Sequence, residues 1–157
     1  MNVIRLFSAQ SPEQIQSART LFEEYAAELN ISLCFQNFAE ELAGLPGKYA
    51  PPSGGLLLAE FDGRLAGCVA LRKIEDGVCE MKRLFVRQEF RGYSIGRRLA
   101  EAIIVEARQI GYRVMRLDTL KKLKAALALY DSLGFQPTKP YYENPTEDVV
   151  YLELKLA

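Results

Sequence analysis

The apolar positions of the chain follow two rhythms. Short dense runs bounded by Gly, Pro or Asp read as strands: NVIRLF at 2–7, LLLAEF at 56–61, RLAGCVALRK at 64–73, VCEMKRLFV at 78–86, RVMRLDT at 113–119 and VVYLELKL at 149–156. Longer stretches repeat at helical spacing. Ile15, Ala18, Leu21, Phe22, Tyr25, Ala26 and Leu29 make one face, entered through a capping box at Ser11-Pro12-Glu13-Gln14 and ending near Asn30. Ile95, Leu99, Ile103, Ala107 and Ile110 make a second, with Gly111 as its stop. LKAALALYDSL at 123–133, closed by Gly134, is a third, and a shorter helix is expected from about Asn37 to Leu45.

Turn chemistry orders these pieces. Asp62-Gly63 and Glu75-Asp76-Gly77 join three strands as consecutive antiparallel hairpins. The Pro- and Gly-rich stretch 46–55 is a loop, and the polar stretch PYYENPTED at 140–148 is another. The order of strand, helices, antiparallel strands, helix, strand, helix and strand predicts an α/β (α+β) fold. Its central sheet is mixed and mostly antiparallel, with helices on both faces. A doubly wound dinucleotide domain is disfavoured, because parallel strands need crossovers where this chain has hairpins. At 157 residues the chain is one domain, 1–157.

Composition narrows the chemistry. The chain has no histidine, which removes Ser-His and Cys-His nucleophile pairs and any imidazole base. Cys34, Cys68 and Cys79 show no CxxC spacing, so no metal site is expected, and their apolar neighbours mark them as reduced core residues of a cytoplasmic protein. Lys plus Arg equals Asp plus Glu at 20 each, so no nucleic-acid partner is expected. No apolar run reaches the ~18 residues of a membrane span. The apolar final strand either pairs across a dimer interface or closes the sheet; because an apolar edge is normally covered, a homodimer is expected.

One junction concentrates charge. Between Lys82 and Arg98 stand six basic residues (Lys82, Arg83, Arg87, Arg91, Arg97 and Arg98) against Glu89 alone. Here a strand passes through a glycine-containing turn into a helix N-terminus, whose unpaired amides and dipole suit a phosphate. Gly92 and Gly96 permit close approach of a ligand to the backbone. A solvated basic turn is the plainer alternative.

On these residues the chain resembles the GNAT superfamily of N-acetyltransferases. FVRQEFRGYSIGRRLAEAII is similar to its acetyl-CoA pyrophosphate motif, Arg/Gln-x-x-Gly-x-Gly/Ala, read here as Arg91-Gly92-Tyr93-Ser94-Ile95-Gly96. Ser94 stands where the first motif glycine usually lies. ALALYDSLGF at 126–135 is similar to the family's A-x-x-L-Y-x-x-x-G-F segment, although Leu123 replaces an Asn that many members carry. The order of elements matches from about residue 2 to 156, and the motifs match from about Glu80 to Phe135. The resemblance implies acetyl-CoA as cosubstrate, with Leu84, Phe85 and Val86 pairing with the pantetheine arm and Arg91–Gly96 with Arg97 holding the pyrophosphate. It implies Tyr130 as the acid that protonates the departing thiolate, against a plain core tyrosine. Glu80 is a base in this view, or else an ion-pair partner of Arg72 or Lys73. Strand alternation puts Glu80, Lys82 and Leu84 on one face, and Cys79, Met81, Arg83 and Phe85 on the other.

Transfer would proceed by direct attack in one ternary complex. The expected acceptor is a small primary amine or an amino-acid-like compound. Phe35, Phe38 and Tyr49 on one side, and Tyr141, Tyr142 and Asn144 on the other, would line its cleft, or else simply pack. Arg83 or Arg72 would meet an acceptor carboxylate, or pair with Glu60 or Glu75. A protein N-terminus or lysine as acceptor, and a non-catalytic CoA-binding module, are the competing readings.

Overall fold

The structure is a computed structural model that describes residues 2–30 and 37–157. Phe35 and Cys34 lie outside the described residues. The elements in order are β1 (Ile4–Ser8), α1 (Pro12–Leu29), α2 (Phe38–Ala43), β2 (Gly55–Phe61), β3 (Arg64–Glu75), β4 (Val78–Val86), α3 (Ile95–Ile110), β5 (Val114–Leu120), α4 (Lys124–Ser132), β6 (Gln136–Pro137) and β7 (Val149–Lys155). Single turns of 3-10 helix occur at Gly47–Tyr49 and Gln88–Phe90.

The strands form one sheet in the order β1-β2-β3-β4-β5-β7-β6. Every pairing is antiparallel except β4 with β5. Helix α1 begins with the capping box expected from its sequence, the Ser11 hydroxyl and the Gln14 side chain serving each other's backbone amides. Period-two alternation sorts β2 between two cores. Leu56 and Leu58 face α1 with Ala18, Leu21 and Phe22. Leu57, Ala59 and Phe61 join α3 through Leu99, Ile103 and Ala107. Each buried aliphatic contributes roughly 1.5–3 kcal/mol, so the sheet is held from both sides.

Two expectations change here. VVYLELKL is not an edge: β7 lies between β5 and the two-residue β6, with Tyr151 and Leu152 buried. It closes the sheet, and the ground for expecting a homodimer falls with that placement. The alternation of β4 also breaks. Ala70 pairs with Lys82 but Cys68 pairs with Phe85, so β4 carries one residue more than β3. That residue is at Arg83, whose φ is +61°. Beyond it the faces swap: Arg83 stays on the α1 side with Glu80 and Lys82, while Leu84 turns to the α3 core. A bulge adds twist and bends its strand. The parallel ladder of β4 and β5 covers only Val78–Glu80 against Val114–Arg116. Past that point the two strands frame an opening.

Candidate active site

Three spaces surround the bulged end of β4. The first, of about 400 Å³, runs along Leu84, Phe85 and Val86 to Arg91, Gly92, Ser94, Ile95 and Gly96, with Leu123, Ala126 and Tyr130 of the α4 region opposite. The second is the narrow gap between β4 and β5, about 80 Å³, lined by Lys82, Leu84, Asp118, Tyr130 and Asn144 among others. The third, about 420 Å³, lies on the other side of β4 against Glu40, Glu41, Tyr49, Arg72, Lys82 and Tyr142. Leu84 and Tyr130 border the first two spaces; Lys82 borders the second and third.

The first space has the chemistry of an anion cradle. Helix α3 starts at Ser94, which caps without a side-chain bond to the helix, and its first turn holds no acidic residue. Its leading amides and the positive end of its dipole therefore face the turn. Ser94 itself sits at φ +62°, and Gly92 at +92° with open space where a Cβ would be. The turn thus needs left-handed backbone at both residues, and a non-glycine residue meets that need at Ser94. The strand segment Leu84–Val86 lies beyond the β4–β5 ladder, which gives an extended ligand backbone an edge to pair with. These features fit acetyl-CoA: the helix start would hold its pyrophosphate, and Leu84–Val86 its amide-bearing arm.

The basic side chains contribute less than their number in the sequence implies. Arg87 makes a two-pronged pair with Glu24, at 2.9 and 2.8 Å. Arg91 reaches Glu28 at 2.6 Å and the Val86 carbonyl at 2.9 Å. Arg83 pairs with Glu41 at 3.0 and 2.9 Å. Acids of α1 and α2 thus neutralise three of the six, and the cradle is chiefly backbone. Two expected cofactor residues do not line the first space, and their side chains are engaged elsewhere: Tyr93 packs on Phe61 with ring centres 4.6 Å apart, and Arg97 bonds Ser132.

The remaining predicted residues stand as follows. Tyr130 is buried at the end of α4, edge-on to Phe135, and burial raises its pKa above the usual phenol value. Glu80 is fully buried; it accepts from Arg72 Nε at 2.7 Å and from the Tyr141 hydroxyl at 2.5 Å, with Lys82 Nζ 3.9 Å away. The Arg72 ion pair expected as one of its two readings is present. Arg83 pairs with neither Glu60 nor Glu75, which instead meet Arg5 and Arg116; the bulge turns it to Glu41. Tyr49 packs edge-on to Phe22 and borders the third space. Tyr142 and Asn144 come together on Asp118: the Tyr142 hydroxyl donates to Asp118 Oδ2 at 2.7 Å, and Asn144 Nδ2 donates to the same oxygen at 3.2 Å.

Sequence reasoning missed Asp118 and the position of Lys82. Both are charged residues inside strands otherwise rich in apolar residues, and that mismatch was the available signal. Lys82 is nearly buried, and burial lowers its pKa below the usual lysine value.

Comparisons with known proteins agree with this geometry. The model of the acetyltransferase (GNAT) family matches residues 15–135. An uncharacterised N-acetyltransferase of Schizosaccharomyces pombe is 42% identical over 98% of this chain and 96% of its own length. Among solved structures, a GNAT-family acetyltransferase of Staphylococcus aureus superposes with a TM-score of 0.80 at 18% identity, covering 99% of this chain and 100% of that one. An acetyltransferase of Salmonella typhimurium, solved with its cofactor acetyl-CoA, superposes with a TM-score of 0.69 at 20% identity over 98% of this chain and 94% of that one.

Proposed function

This chain belongs to the acetyltransferase (GNAT) family, an N-acetyltransferase with acetyl-CoA as cosubstrate, and on that premise we propose that its acceptor is the primary amine of a small molecule or amino-acid-like compound. The observation that carries this is the third space. At about 420 Å³ it has room for a small ligand, and Lys82 lines both it and the β4–β5 gap. An acceptor held there would present its amine towards the gap from one side, while the first space shares Leu84 and Tyr130 with the same gap on the other. Catalysis by positioning follows from such an arrangement. When bound, acetyl-CoA supplies an activated thioester carbonyl.

The chain's own groups would do the rest. Tyr130, kept protonated by burial, is placed between the first and second spaces to give its proton to the departing thiolate. A backbone amide near Leu84 or Phe85 would stabilise charge developing on the carbonyl oxygen. The acceptor's proton must pass to a carboxylate, since the chain has no histidine. Glu40 and Glu41 line the third space and Asp118 lines the gap, while Glu80, indicated by the sequence, is buried behind them. The free thiols of Cys68 and Cys79, both buried, suit a cytoplasmic setting.

The test begins with thermal shifts. Acetyl-CoA and CoA at about 100 times their dissociation constant should stabilise the chain by roughly 2.7 kcal/mol, and NAD should not. A panel of small amines and peptides then reads the acceptor. Transfer to free amines supports the proposal; transfer to peptides alone overturns it. Tyr130→Phe should lower kcat by about 10²-fold with little change in the KM for acetyl-CoA.

A further inference from the structure

We infer that the acceptor's proton leaves through the Tyr142 hydroxyl to Asp118. The inference rests on the acetyl-transfer reading above and identifies the path that its deprotonation step takes.

Tyr142 borders the acceptor space, and Asp118 borders the gap between β4 and β5. A single hydrogen bond of 2.7 Å, donated by the Tyr142 hydroxyl to Asp118 Oδ2, joins the two spaces. The hydroxyl is held in place from several directions. Asn144 Nδ2 donates to the Tyr142 hydroxyl oxygen at 3.0 Å and to Asp118 Oδ2 at 3.2 Å. The Tyr151 hydroxyl donates to the Tyr142 backbone carbonyl at 3.1 Å, and Tyr151 is the register partner of Asp118 across β5 and β7. Rings of Tyr141 and Tyr151 flank that of Tyr142, at 5.3 and 5.9 Å between centres.

Glu80 offers a contrast. It is fully exposed to neither solvent nor ligand: its side chain is 0% accessible, both oxygens are engaged, and it borders none of the three spaces. Asp118 is half-buried and reaches the acceptor space through one bond. Its charge acts on Lys82 of β4, Tyr25 of α1, Tyr130 of α4 and Tyr151 of β7. Burial and the charge of Asp118 both push the Tyr142 pKa up. At rest the phenol therefore keeps its proton and can only hand it on as it receives another.

The step balances without a further reactant. The acceptor ammonium N–H bond breaks and its proton binds the Tyr142 oxygen. At the same time the Tyr142 O–H bond breaks and that proton binds Asp118 Oδ2. The amine lone pair is released for attack, and Asp118 returns its proton to water through the gap after transfer.

Kinetics across acceptors of graded basicity test the path, from simple alkylamines, which are protonated at neutral pH, to fluorinated alkylamines, which are already neutral there. Tyr142→Phe, which removes only the hydroxyl, and Asp118→Asn should each lower kcat for alkylamines by about 10²-fold. The KM for acetyl-CoA should stay as in the wild type. The defect should shrink towards wild-type rates as the acceptor becomes neutral, and Glu80→Gln should show no such dependence on basicity. Full rates with alkylamines in both variants, or defects equal across the panel, overturn the path. A basicity-dependent defect in Glu80→Gln alone assigns the role to Glu80. A wild-type chain that binds acetyl-CoA but transfers to no amine overturns the parent reading, and the proposed path with it.

Discussion

On one side of β4, residues 84–96 form the wall proposed for the cofactor from nearly continuous chain. On the other, the wall proposed for the acceptor draws Glu41 from α2, Tyr49 from a turn, Arg72 from β3, Lys82 from β4 and Tyr142 from a loop. The first wall works through backbone: an uncapped helix start, left-handed residues at Gly92 and Ser94, and a strand edge without a ladder partner in β5. The second works through buried or half-buried side-chain charge, each held by a partner on another element. Arg83 meets Glu41, Arg72 meets Glu80, and Asp118 meets Tyr142. A backbone device survives many side-chain changes, whereas a buried charge depends on one partner. The two walls should therefore fail differently.

The largest effect is expected on the acceptor side. Arg83 is 4% exposed, and Arg83→Ala leaves Glu41 without its two-pronged partner. Breaking a buried pair costs about 3–5 kcal/mol. Thermal unfolding should show a Tm lower by roughly 10 °C, at 2–4 °C per kcal/mol for a chain of this size. A change within about 2 °C would mean that the pair is not structural.

Next comes the strand under the cofactor wall. A Cβ on Gly67 would lie 2.5 Å from the Phe85 carbonyl oxygen, so β4 must move. Gly67→Ala should cost about 2–3 kcal/mol and, because the displaced carbonyl lies between Leu84 and Val86, raise the KM for acetyl-CoA. Lost stability with unchanged KM would show that the strand edge does not hold the cosubstrate.

The smallest effect is a gain. Ser94→Gly relieves a left-handed serine and should add about 1 kcal/mol, read as a Tm rise of a few degrees. Acetyl-CoA affinity should be no weaker, since the amides that face the turn are backbone. Weakened binding would instead assign the Ser94 hydroxyl to the phosphate.

The difference between the walls also explains what could be read beforehand. Hairpins at Asp62-Gly63 and Gly77, the capping box at Ser11 and the stop at Gly111 were legible because each depends on residues within a few positions. The cofactor turn was legible for the same reason. The face assignment of β4 failed after Lys82, because strand alternation cannot foresee an inserted residue. One bulge at Arg83 moved that side chain to α2 and turned Leu84 to the opposite core. The basic stretch misled in a related way, since Glu24 and Glu28 that neutralise Arg87 and Arg91 stand 63 residues earlier.

By itself, then, the sequence determined the main elements, their turns, the mostly antiparallel sheet and the strand–turn–helix proposed to receive a phosphate. Each follows from local backbone preference and from the period of apolar residues. Tertiary structure alone decided that Arg83, Arg87 and Arg91 pair with acids of α1 and α2, that β7 lies inside the sheet, and that Tyr142 and Asp118 meet. Those outcomes depend on through-space contact in a low-dielectric interior, where a partner is selected by the path of the folded backbone rather than by distance along the chain.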